Sequence, residues 1–365
     1  MRLIFAGGGT GGHLIPGISL AEEILKKLPH SELLFVSTGK PLEKQLFERF
    51  QLSYRVISAR PLTKQLQKIP GFFYHTCGAI RQSIRILRDF RPEGIIGLGG
   101  YGAAPVLVAT KLLKIPFFIL EQNAIPGSVN RLFAPFSEKV CCQFEQSLPY
   151  FKDLGFLTGN PIRSALKKEV QNARQKLGLE ADRFTLLVMG GSQGAQAINR
   201  CLAETVQLIA TQEPSLKIQI IHLTGAKEMD ALKKAYTQAQ IPHQLFSFLE
   251  EMELAYSSCD LVIGRAGGTT LAEITALGLP SILIPFPQAK ADHQYLNALE
   301  IEKKGAAFVY REEVLTPEKL LKNIRELYSN PEKLLQMRAC SKKIGRLDAG
   351  ACILSLLETT LKRVA

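Results

Sequence analysis

Three glycine-bearing stretches have the residue types and spacing to approach a phosphorylated ligand. In the first, Gly7, Gly9 and Gly12 satisfy the GxGxxG spacing, and His13 follows directly. Glycines let the backbone come close to a ligand, and a helix that starts there turns its positive end toward negative charge. A histidine at that helix start can take a proton from an attacking hydroxyl, or it can cap the helix or bind phosphate. Residue type alone leaves these readings level. The second stretch, GGSQGA at 190–195, has the glycines and serine of a phosphate-cradling turn but lacks the GK[ST] of an ATP-hydrolysing loop. The third, GRAGGTTLAE at 264–273, offers backbone N–H groups and hydroxyls to a diphosphate, with Glu273 about one turn into a helix. Its carboxylate suits two ribose hydroxyls, although a first-turn glutamate also favours the helix dipole by about 0.3–1 kcal/mol. Taken singly, that second role is the commoner one.

These loops need strands and helices to aim them. Apolar runs at 3–6, 33–36, 55–58, 94–98, 116–120 and 139–142 alternate with helix-length segments such as 15–28, 76–89 and 103–113. That is the pattern of a parallel sheet. It restarts with a strand at 184–189, a helix at 197–211, and strands at 217–223, 244–246, 261–263 and 281–284. The chain therefore reads as two Rossmann-like domains. Residues 158–163, with Gly159 and Pro161, form the linker candidate, where a cleft is expected. After Glu318 the pattern is mostly helical. Two further polar loops, EQNAIPG at 121–127 and DHQYLNA at 292–298, carry amides suited to sugar hydroxyls.

Composition narrows the function classes. A chain of 365 residues fits two domains, and no apolar run reaches the length of a spanning helix. The start of the sequence lacks the apolar core of a signal peptide, so a cytosolic protein is expected. Seven cysteines without CxxC spacing suggest buried thiols rather than disulfides or zinc. No histidine spacing or acidic pair implies a metal, and no cofactor is called for. The formal charge of +12 attracts anions. A nicotinamide site is disfavoured because the strand at 33–36 ends in Ser37 and Thr38, without the acidic residue that would hold a ribose. Nucleic acid is a weaker option, since no basic and aromatic module is evident.

Taken together, GGGTGGHLIPG at 7–17, GLGGYGAAP at 97–105, EQNAIPGSVN at 121–130, TGNPIR at 158–163, GGSQGA and GRAGGTTLAEI resemble glycosyltransferase family 28, specifically its peptidoglycan N-acetylglucosaminyltransferases. The resemblance covers nearly the whole chain. It implies an α/β GT-B fold, with two Rossmann-like domains whose parallel sheets face a central cleft. The implied divisions are an acceptor and membrane-docking domain at 1–160, a donor domain at 161–342, and a helix at 343–365 returning to the first. It implies UDP-N-acetylglucosamine as donor, undecaprenyl-linked lipid I as acceptor, and attachment to the cytoplasmic face of an anionic inner membrane. Donor contacts carried over by motif are Thr10, Gly11, Gly12, Asn123, Arg163 and Ser192. Leu249 would meet the uracil, and Gly268, Thr269, Thr270, Leu271, Ala272 and Glu273 the ribose and diphosphate. Gln294 completes the donor set. His13 and Tyr101 fall in the acceptor cleft, with His13 the candidate base. Gly268 stands where alanine is common, and the loop before Gln294 is one residue longer than in some relatives. Other GT-B enzymes, such as a glycolipid transferase or a UDP-N-acetylglucosamine epimerase, and a non-catalytic UDP-sugar-binding adaptor are the competing readings. A further expectation is membrane docking through residues 60–91, where seven basic residues face one acid beside Ile69, Phe72, Phe73 and Tyr74.

Overall fold

The computed structural model describes residues 1–9, 11–61, 69–190 and 195–364, giving only the backbone for 69–73 and 364. Its chain forms two compact units, Met1–Ser164 with Arg346–Ala365, and Ala165–Gly345.

The first unit runs β1 (Arg2–Gly7), α1 (Gly11–Lys27), β2 (Glu32–Ser37), α2 (Pro41–Arg49), β3 (Tyr54–Val56), α3 (Ile69–Phe90), β4 (Gly94–Gly99), α4 (Ala103–Leu112), β5 (Phe117–Glu121), α5 (Ser128–Phe133), β6 (Lys139–Cys142) and β7 (Gly155–Leu157). Its sheet has the order β3-β2-β1-β4-β5-β6-β7, and every pairing is parallel. Both faces of the sheet are covered, which is why β1 is continuously apolar from Leu3 to Ala6 instead of alternating. Ile4 and Ala6 face a core shared with Ala79 and Leu87 of α3 and Val106 of α4. Leu3 and Phe5 face the opposite core, with Leu14 and Ile18 of α1.

The second unit runs α6 (Ala173–Lys176), β8 (Phe184–Met189), α7 (Gln196–Gln212), β9 (Ile218–Leu223), α8 (Met229–Gln238), β10 (His243–Phe246), α9 (Met252–Ser258), β11 (Leu261–Gly264), α10 (Gly268–Ala276), β12 (Ser281–Leu283), α11 (His293–Lys303), β13 (Ala307–Val309), α12 (Pro317–Ser329) and α13 (Pro331–Ile344). Its parallel sheet has the order β10-β9-β8-β11-β12-β13. The last helix, α14 (Ala349–Val364), rejoins the first unit. There it packs on α1 and buries Ile353, Leu354 and Leu357 in the core that holds Phe5.

Several local expectations change. Helix α3 begins at Ile69 rather than Thr76, because Pro70 falls in its first turn, where a missing N–H costs no helical bond. Strands β7 and β13 are three-residue pieces at sheet edges, too short to show a period. The first unit also keeps residues 161–164, and the Ser164 N–H donates to Glu22 Oε2 at 3.0 Å. All seven cysteines are free; Cys141, Cys142, Cys201 and Cys259 are buried, whereas Cys77 and Cys352 are exposed.

Candidate active site

In an open parallel sheet, ligands bind beyond the carboxyl ends of the strands where the strand order reverses. In the first unit that point lies between β1 and β4, and glycine turns follow both strands. The turns interlock: Gly100 has φ +74°, and an added Cβ there would lie 2.6 Å from the Gly8 carbonyl oxygen. Gly11, Gly12 and His13 form the first turn of α1. The His13 ring lies over Gly99, whose added Cβ would meet His13 Cδ2 at 3.1 Å and Asn130 Oδ1 at 3.3 Å. Tyr101, in the turn after β4, stands against Gly9, and Lys40 Nζ lies 5.3 Å from its ring centroid.

A carboxylate of the chain itself occupies the first glycine loop. Glu43, 1% exposed on α2, accepts from the Gly9 N–H, from Thr38 Oγ1 at 3.1 Å, and from the Lys40 N–H at 3.0 Å. Lys40 Nζ in turn donates to the Gly9 carbonyl at 3.2 Å. Sequence reading did not single out Glu43. The Pro41 and Glu43 pair marks a helix start, since a glutamate at the third position reaches back to the cap N–H. The reach from Glu43 to Gly9, however, spans 34 positions and follows only from the fold.

The loop after β5 is organised in the same way. Buried Glu121 accepts from the Asn123 N–H at 3.0 Å, the Gly127 N–H at 2.9 Å and Asn130 Nδ2 at 2.8 Å. Burial pushes its carboxyl above the ordinary range, against the opposing effect of these hydrogen bonds. Asn123 is thereby fixed beyond the end of β5. Arg163 lies beyond β7, half-buried.

In the second unit the order reverses between β8 and β11. These strands approach closely, for an added Cβ on Gly264 would lie 2.6 Å from the Met189 carbonyl oxygen. Gly268, Thr269, Thr270, Leu271, Ala272 and Glu273 form the first six residues of α10, which starts beyond β11. Glu273 is 8% exposed, and Tyr256 of α9 donates its hydroxyl to Glu273 Oε2 at 2.8 Å. Leu249, half-buried, follows β10. Gln294, in the first turn of α11, accepts from the Phe286 N–H at 3.0 Å. Before it, Ala291 and Asp292 both have φ of 53°, and Asp292 Oδ2 pairs with Arg311 at 2.6 Å. Asn199 of α7 donates to the Thr224 carbonyl at 3.0 Å and bonds buried His222, whose burial lowers its pKa to about 3 and keeps it neutral.

Thr10 and Ser192 lie outside the described residues. So do Lys64 and Lys68, and the side chains of Ile69, Phe72 and Phe73. In α3, Tyr74 is 79% exposed, as are Arg81, Arg85 and Arg88 to a large extent. No helix among the described residues is long and apolar enough to cross a membrane.

Two all-parallel α/β units, each with glycine turns at its switch point, have the architecture of a GT-B glycosyltransferase. The model of the glycosyltransferase family 28 N-terminal domain matches residues 3–142, and that of its C-terminal domain matches residues 185–350. The UDP-N-acetylglucosamine–N-acetylmuramyl-(pentapeptide) pyrophosphoryl-undecaprenol N-acetylglucosamine transferase of Geobacter metallireducens is 38% identical, with 100% of both chains covered. Among solved structures, MurG of Acinetobacter baumannii superposes with a TM-score of 0.79 at 26% identity, covering 98% of this chain and 99% of that one. A UDP-GlcNAc 2-epimerase from Neisseria meningitidis, bound to UDP-GlcNAc, shares the fold with a TM-score of 0.70 at 15% identity, over 98% of this chain and 100% of its own. The chain belongs to glycosyltransferase family 28.

Proposed function

We propose that this protein transfers N-acetylglucosamine from UDP-N-acetylglucosamine to the muramoyl 4-hydroxyl of undecaprenyl-linked lipid I. The observation that carries this reading is the full-length likeness to the N-acetylglucosamine transferase of Geobacter metallireducens. The second unit binds the nucleotide: Leu249 meets the uracil, Glu273 accepts from the ribose hydroxyls, and the N-terminal turn of α10 faces the diphosphate. Gln294 meets the sugar. Asn123, Arg163, Ser192 and the residues at 10–12 complete the donor contacts.

The reaction is one inverting displacement. The acceptor oxygen attacks the anomeric carbon, its proton passes to the His13 imidazole, and the bond to UDP breaks with its electron pair. Charge grows on the leaving diphosphate, where one preorganised donor is worth roughly 3 kcal/mol. Tyr101 stands beside His13 as an acceptor contact. The acceptor's lipid makes docking on an anionic membrane surface useful, and the exposed arginines of α3 with Tyr74 support that role.

The test is incubation of the purified protein with labelled UDP-N-acetylglucosamine, with and without lipid I. The reading requires a β-linked disaccharide on the lipid and one UDP released per transfer. Donor consumed without acceptor would mark an epimerase instead. Tight donor binding with no turnover would mark an adaptor.

A further inference from the structure

Glu273 does not reach its position through its own helix alone. A glutamate side chain has three rotatable bonds, and holding its carboxylate in one orientation costs conformational freedom unless a neighbour fixes it. Tyr256 is that neighbour. It stands 17 positions earlier on α9 and is 3% exposed, with its hydroxyl 2.8 Å from Glu273 Oε2 and 3.8 Å from Met189 Sδ. The carboxylate is the far stronger acceptor of the two, so the single phenol proton belongs to Glu273. Met189 ends β8, and Glu273 lies in the helix that follows β11. Tyr256 therefore touches residues from both sides of the point where the strand order of the second unit reverses.

We propose that Tyr256 is a positioning residue for ribose recognition: its hydroxyl fixes the plane of the Glu273 carboxylate, so that the carboxylate meets the vicinal hydroxyls of a ribonucleotide and discriminates against a deoxyribonucleotide. This rests on the assignment of Glu273 to the ribose made above. A vicinal diol presents two donors with fixed spacing, and an ionised carboxylate offers only acceptors. A carboxylate whose plane is set before the ligand arrives gains more from that pair than one that must be ordered on binding. A phenylalanine at 256 keeps the buried ring and removes only the donor.

The experiment is calorimetric titration of the full-length protein with UDP and with 2′-deoxy-UDP, using wild type, Tyr256→Phe, Glu273→Ala and the double variant, with melting curves to confirm folding. Tyr256→Phe is expected to weaken UDP by about 3- to 10-fold, the value of one hydrogen bond of ordinary net strength. Binding of 2′-deoxy-UDP should change much less, so the preference for UDP shrinks toward that of Glu273→Ala, and adding Tyr256→Phe to Glu273→Ala should have no further effect. If Glu273→Ala abolishes the preference while Tyr256→Phe retains it in full, the role of Tyr256 is overturned and the ribose assignment stands. If Glu273→Ala itself retains the preference, the ribose assignment fails and this proposal fails with it.

Discussion

The glycine turn after β1 and the turn after β11 look alike in sequence, yet they are built differently. After β1, a buried carboxylate from α2 accepts the Gly9 N–H, so an anion of the chain itself is already bound there. Gly8 and Gly9 have φ of 153° and 99°. After β11, Gly267 has an ordinary φ of −67°, and the acidic residue is carried inside the helix that follows, at Glu273. The first turn spends its glycines on bringing two loops and α2 together, which fixes where α1 and His13 begin. The second puts a helix N-terminus and a buried carboxylate at the end of the sheet. A glycine-rich turn is therefore not by itself a phosphate site, because the local source of negative charge decides which job it does.

The sharpest way to break this contrast is at His13. His13→Ala is expected to lower turnover by about 10²- to 10⁴-fold, the range for a positioned general base. Steady-state assays with lipid I measure it, and near-normal turnover would remove His13 from the reaction. Glu273→Ala should weaken UDP and UDP-N-acetylglucosamine alike by roughly 10- to 150-fold, since one charge-assisted hydrogen bond is worth about 1.5–3 kcal/mol. A variant that loses only the sugar nucleotide and still binds UDP normally would move Glu273 from the ribose to the sugar.

Smaller effects refine the first turn. Glu43→Gln keeps the size but removes the charge and replaces one of the two acceptor oxygens, which take the Gly9 and Lys40 N–H groups, by an NH2 donor, and is expected to lower turnover by about 5- to 10-fold. UDP affinity should stay within twofold in the same variant. Equal losses in both would mean that Glu43 acts through the donor contacts at 10–12 rather than through the placement of His13. Smallest per residue are the surface charges: each of Arg81, Arg85 and Arg88 changed to Gln should weaken binding to anionic vesicles by about 1 kcal/mol at low salt. Co-sedimentation that is equal on neutral and anionic vesicles at low and high salt would remove α3 from membrane docking.

Much of this arrangement was legible in the residues. Continuous apolar runs such as Leu3 to Ala6 and Leu186 to Met189 announce strands buried on both faces, and glycines directly after them announce the turns. The order of motifs carried the family. Roles that depend on distant partners were not legible. Glu43 reads locally as a helix-start glutamate, and only the fold brings Gly9 to it. Tyr256 reads as one apolar position of a short amphipathic helix, with nothing in its neighbourhood to announce a carboxylate 17 positions on. Edge strands β7 and β13 are three residues long, below the length at which periodicity distinguishes a strand from a loop.

The central claim is a division of labour, with the nucleotide held through Glu273 and the acceptor proton taken by His13. Titrating UDP into His13→Ala and Glu273→Ala side by side tests it most directly. The account predicts that His13→Ala binds UDP within about twofold of wild type, while Glu273→Ala loses at least about 10-fold. Loss of UDP affinity in His13→Ala with affinity retained in Glu273→Ala would contradict it.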